Sequence, residues 1–139
     1  MKVRPIMSLA LLLALTALAL SCGVKGDFGF KRFGDDTYHR IDGTPEFASD
    51  EAIDWVFKLS RKYGERDIGV VLQKKELVWV DISTRSQRIT TADRALYGTI
   101  KDLQPGEYKL ILTLVKSDNE LIDSKNFIIY EKEGDADED

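Results

Sequence analysis

Short apolar runs, most of them alternating with polar residues, are separated by polar or glycine-containing turns along most of the chain. Strict alternation is the signature of a half-buried β-strand. Phe28 and Phe30 share one face of a candidate edge strand, and Asp35-Asp36 marks a turn after it. Tyr38–Ile41 is a short strand candidate, closed by Asp42-Gly43. Glu51–Leu59 admits two readings. As a strand, Ile53, Trp55, Phe57 and Leu59 share one face; as a helix, Ala52, Val56, Leu59 and Tyr63 recur at helical spacing, with Gly64 as the stop. Its β-branched and aromatic content favours the strand. Ile68–Leu72 alternates, and Gln73-Lys74-Lys75 reads as a polar turn. Leu77–Ile82 is apolar almost throughout, which predicts a strand covered on both faces. Thr84–Asp93 is polar and reads as a long connection with one short strand near Gln87–Thr90, followed by a strand at Leu96–Ile100. Tyr108, Leu110, Leu112 and Leu114 then alternate, Ser117–Glu120 turns, and Leu121–Tyr130 returns.

Seven to eight short strands with turns every 8–12 residues predict an all-β, antiparallel two-sheet sandwich. Its expected core is Ile53, Trp55, Phe57, Val70, Leu72, Trp79, Tyr108, Leu110, Leu112 and Phe127. Leu103-Gln104-Pro105-Gly106-Glu107-Tyr108 resembles the corner that enters a late strand of immunoglobulin-like and fibronectin-III-like sandwiches. That resemblance implies an immunoglobulin-like domain in which the tyrosine hydroxyl bonds back across the corner.

The N-terminus changes the picture most. Met1–Pro5 is a short basic segment, and Ile6–Leu20 follows as 15 residues without a charge. That run is short for a transmembrane helix, which needs ~20 apolar residues, and suits the helical core of a signal peptide. It ends in Leu18-Ala19-Leu20-Ser21-Cys22, which resembles the lipobox of bacterial lipoproteins, with Ala19 where leucine is most common. The resemblance implies cleavage before Cys22 and lipidation of its sulfur and its new amine. A secretory signal cut near Ala17-Leu18-Ala19 is the alternative. Cys22 is the only cysteine, so lipidation would also remove a spare thiol. Gly23 stands where an aspartate marks retention at the inner membrane, so the resemblance implies an anchored cell-envelope protein, at the outer membrane rather than the inner. The chain thus divides into a signal peptide (1–21), a glycine-rich tether (22–34), a sandwich (35–130) and a disordered acidic tail (131–139).

Composition narrows the function. The chain is 43% apolar and 32% charged, which excludes a multi-span membrane protein, a collagen and a wholly disordered chain. With 20 Lys+Arg against 24 Asp+Glu and no basic stripe, nucleic acid is not an expected partner. Candidates for chemistry are few. His39 is the only histidine and has no nucleophile motif such as G-x-S-x-G beside it. Asp135-Ala136-Asp137-Glu138-Asp139 has the spacing that opens a calcium loop, but its glycine and bidentate glutamate are missing. The adjacent pairs Asp35/Asp36 and Asp50/Glu51 would point to opposite strand faces rather than across a cleft. A non-catalytic binding domain without cofactor or metal is the expectation. Its partners would be the membrane, through lipid on Cys22, and an envelope protein, through a sheet edge or end loops. The candidate surface is Phe28, Phe30 and Phe33 near the tether, with Arg85 and Arg88 in the Ser83–Asp93 segment. An accessory subunit of an envelope assembly, secretion or transport complex is the alternative.

Overall fold

The computed structural model describes residues 26–116 and 118–133. The signal segment, Cys22 and residues 134–139 of the acidic tail lie outside the described residues. Among the described residues eight strands form: β1 (Phe28–Arg32), β2 (Glu46–Ala48), β3 (Ile53–Lys58), β4 (Arg66–Lys75), β5 (Trp79–Ile89), β6 (Ala95–Ile100), β7 (Gly106–Leu114) and β8 (Leu121–Tyr130). They make a two-sheet sandwich, with order β1-β3-β6 in one sheet and β2-β8-β7-β4-β5 in the other. The expectation of a purely antiparallel sandwich needs one correction: β2 runs parallel to β8, with Phe47 opposite Ile129. Residues 51–63 resolve as strand β3 and a 3-10 turn at Arg61–Tyr63.

The core is built from alternating inward positions. Ile68 and Val70 of β4 and Tyr108, Leu110, Leu112 and Leu114 of β7 face Trp55 and Phe57 of the opposite sheet, all buried. A run of aromatic rings crosses between the sheets. Phe30 lies 5.5 Å from Phe47, Phe47 6.2 Å from Phe127, and Phe127 5.4 Å from Tyr108. The Tyr108 hydroxyl donates to the Gln104 carbonyl at 2.6 Å, the bond the corner sequence implies.

Four segments differ from the sequence expectation, each for a physical reason. The glycine-rich tether ends sooner than residue 34. From Phe28 the chain is strand β1, paired with β3 so that Phe28 meets Phe57 and Phe30 meets Trp55. Burying two phenylalanine rings contributes about 1.5–3 kcal/mol each, enough to outweigh the entropy of fixing a glycine. Gly26 is already seated, since a Cβ there would fall 1.9 Å from the Lys58 carbonyl oxygen. Gln73-Lys74-Lys75 is not a turn but the end of β4, and the reversal comes at Glu76–Val78. Ser83–Ile89 belongs to β5, an 11-residue strand, because each of its residues pairs with β4. Finally, Leu77–Ile82 is not covered on both faces. β6 ends at Ile100, so the β4–β5 hairpin projects past the three-stranded sheet that could have covered it.

Candidate functional site

β5 is an edge strand whose only ladder partner among the described residues is β4. Its two halves differ. Toward Ile89 it is stitched to β6, the open edge of the other sheet, by two side chains. The Arg85 guanidinium donates to the Tyr97 carbonyl, and the Gln87 carboxamide accepts from the Tyr97 N–H at 3.2 Å and donates to the Ala95 carbonyl at 3.4 Å. These groups occupy backbone positions that a further strand would otherwise take, which protects the β6 edge. The half from Trp79 to Ser83 has no such cover among the described residues. A β-bulge interrupts this half: Leu72 pairs with Ser83 and Gln73 with Asp81, leaving Ile82 as the extra residue.

Between β5 and β6, beside this uncovered stretch, a cleft of about 340 Å³ opens into the sandwich. Its floor is Trp55, Val70, Leu72 and Leu110, and its rim includes Ser83, Arg85 and Thr99. Two local features shape it. Gly98 lies opposite Trp55 in the β3–β6 ladder and leaves room for the indole, and the Arg85 guanidinium stands 5.7 Å from the centroid of that ring. Arg85 makes no ion pair among the described residues, in contrast to Arg88, which reaches Asp67 at 3.4 Å.

The hairpin tip beyond the cleft is apolar and exposed. Leu77 is 102% and Val78 68% accessible, and Val80 and Ile82 are also exposed. Trp79 is not a core residue, contrary to expectation. It pairs with Lys75 across the hairpin and lies under the Lys109 ammonium, 4.1 Å from the ring centroid. Single exposed apolar residues are ordinary, but a contiguous apolar tip on a hairpin is a mark of an interaction surface.

The five candidate surface residues separate accordingly. Phe28 and Phe30 are buried core residues, which corrects their assignment to an exposed surface. Phe33 is 99% exposed in the turn after β1 and flanks Asp50 and Lys132 at another corner of the sandwich. Arg85 belongs to the cleft; Arg88 faces Asp67 instead. The residues that sequence reasoning missed are Leu77, Val78, Tyr97 and Thr99. A signal for the first two was present, since an apolar pair directly after Lys74-Lys75-Glu76 occupies a turn where polar residues and glycine are usual.

His39 is exposed and bridges Phe30 only through backbone hydrogen bonds of 2.7 and 2.8 Å. Among the described residues, no cluster of three or more histidine, cysteine, aspartate or glutamate side chains is placed to hold a metal ion.

No protein-family model matches the chain, and no curated protein matches it. Among solved structures, the fold is similar to the soluble domain of PmoD from Methylocystis sp. ATCC 49242 (Rockwell), with a TM-score of 0.51 and 8% identity. The likeness covers 74% of this chain and 89% of that one, and at this identity it shows the fold alone.

Proposed function

We propose that the chain is a lipid-anchored cell-envelope protein whose immunoglobulin-like sandwich is a non-catalytic binding module, with the β4–β5 hairpin as its docking element. The observation that carries this reading is the exposed apolar tip at the end of the sandwich remote from the chain's entry. Phe28 pairs with Phe57 and Phe57 with Leu96, so the chain enters at the Ala95 end of β6. Gln87 of β5 reaches that same end, while Ser83 lies beside Thr99 and Trp79 beyond it. The hairpin therefore points the other way.

Reach supports the orientation. Five residues lie between Cys22 and Phe28, and the six steps span at most ~20 Å when extended, whereas the eleven residues of β5 run ~35 Å. With lipid on Cys22, the apolar tip stands clear of the membrane that holds the anchor and faces outward to a partner. Two or three acyl chains supply stable anchoring, and confinement near the membrane makes modest affinity sufficient. The immunoglobulin-like assignment is supported by the Tyr108–Gln104 corner bond and by the extra edge strand β5 on the β8-β7-β4 side. Gly23 after the cysteine favours the outer membrane.

Photo-crosslinking from position 78 of the full chain in cells, with fractionation of Cys22→Ala in parallel, tests the proposal. The expected result is a protein adduct from position 78 and release of Cys22→Ala to the soluble fraction. A variant still held in the membrane would overturn the anchor; no protein adduct would overturn the docking role. An adduct at one fixed stoichiometry would assign the chain as a subunit of an envelope complex.

A further inference from the structure

Resting on that binding-module reading, we infer that the uncovered half of β5 accepts an extended peptide segment of a partner as an added strand, and that this segment carries an acidic and an apolar side chain two residues apart. An edge strand presents a row of N–H and C=O groups, and natural proteins guard such rows with lysine, proline, bulges or cover. Trp79–Ser83 contains neither lysine nor proline, and the stitching by Arg85 and Gln87 protects β6 rather than this stretch. Its guards are Asp81 and the bulge at Ile82.

Side-chain chemistry then specifies the guest. Alternate residues of a strand added beside β5 face the gap between the sheets, spaced ~7 Å apart. Ser83 and Arg85 are successive inward positions of β5, opposite Leu72 and Val70. A guest residue level with Ser83 meets the cleft floored by Leu72, Leu110 and Trp55, which takes an aliphatic side chain. Past Ser83 the end of the guest reaches Arg85, at the start of the stitched half, whose guanidinium donates to Tyr97 and Gln87, keeps further N–H donors and has no carboxylate partner among the described residues. A planar guanidinium with donors to spare selects a carboxylate. Backbone pairing would supply affinity and the two side chains the selectivity, as in other β-augmentation complexes.

The test uses the full chain in detergent and a phage-displayed library of random nine-residue peptides. Selected peptides are expected to share an acidic residue two positions from an aliphatic one. Arg85→Gln should weaken them about tenfold, replacing the peptide's acid by its amide should do the same, and the combined change should add little. Ile82→Lys places an edge guard at a residue with no β4 partner, so it should abolish binding without altering the melting transition. Enrichment of no peptide, or peptides bound equally by Arg85→Gln and Ile82→Lys, would overturn the inference. If position 78 still crosslinks to a protein in cells after that outcome, the binding module stands and strand addition alone falls. Flotation of Cys22→Ala with phosphatidylethanolamine–phosphatidylglycerol vesicles, lost in Leu77→Ser, would assign a lipid surface as the occupant and likewise overturn strand addition.

Discussion

Gly98 and Trp55 face each other across the β3–β6 ladder, and the glycine backbone lies directly against the indole. A Cβ at position 98 would sit 2.5 Å from the indole Nε1 and 2.6 Å from Cε2, closer than real contacts allow. The ring has little room to shift, because it is buried against the core and its other neighbours include Phe28, 6.1 Å away. Gly98→Ala therefore forces either the indole or β6 to move, and overpacking of this kind costs about 1–3 kcal/mol. The expected outcome is a lower melting temperature together with a shifted tryptophan emission, because Trp55 forms the floor of the cleft. Unchanged emission would show that β6 yields and the cleft does not.

The corner at Tyr108 gives a pH-dependent prediction. Burial pushes its phenol above the ordinary value of 10.0, with the Lys74 ammonium partly offsetting this. A raised folded pKa means that the neutral phenol is favoured in the fold. Its contribution is fully present below pH ~10 and is lost as pH rises through the folded value. Tyr108→Phe removes the hydrogen bond to Gln104 and should cost about 0.5–1.5 kcal/mol at neutral pH. The gap between the native chain and Tyr108→Phe should narrow above pH 10 in denaturant titrations. A gap constant through that range would mean that the phenol ionises without penalty.

Tyr108 also shows what was legible in the sequence. Pro105-Gly106 and the alternation after it specify a turn and a strand locally, so corner, register and buried face follow from adjacent residues. Trp55 and Phe57 were legible for the same reason. Leu77–Ile82 was not, because apolar content says that a residue gains from burial but not whether another sheet extends far enough to provide it. Trp79 illustrates the limit: its partners Lys75 and Lys109 lie on two different strands, and only the ladder register brings them together. Arg85 was legible as a candidate, whereas the cleft it borders depends on β6 ending at Ile100 and on Gly98, neither of which a linear pattern reveals. β2 was missed because three residues carry too little periodicity to register.

The difference between inward and projecting apolar residues is measurable. Leu112 is fully buried on β7, with Val70 opposite it on β4. Leu112→Ala should cost roughly 2–5 kcal/mol, a large share of a small domain's stability. Ile82→Ala, at the bulge of the projecting hairpin, should change stability by less than about 0.5 kcal/mol. Chemical denaturation of both variants checks the pair. Equal losses would mean that the hairpin is packed against something within the chain.

Leu77 and Val78 permit the cleanest separation of stability from function. Neither contacts the core, and their exposure places most of their apolar surface in water in the free protein. Replacing both with serine removes nothing from the packed interior and lowers the hydrophobic cost of exposing the tip. The folded state should therefore keep its melting temperature within a degree or two and gain solubility. If the tip is where a partner docks, the same double change should remove the crosslink from a probe at Val80, because the apolar contact area at the centre of an interface carries most of its binding energy. A Leu77→Ser/Val78→Ser chain that melts as before and still forms the full yield of adduct would place the docking surface elsewhere, with Phe33 at its separate corner as the next residue to probe.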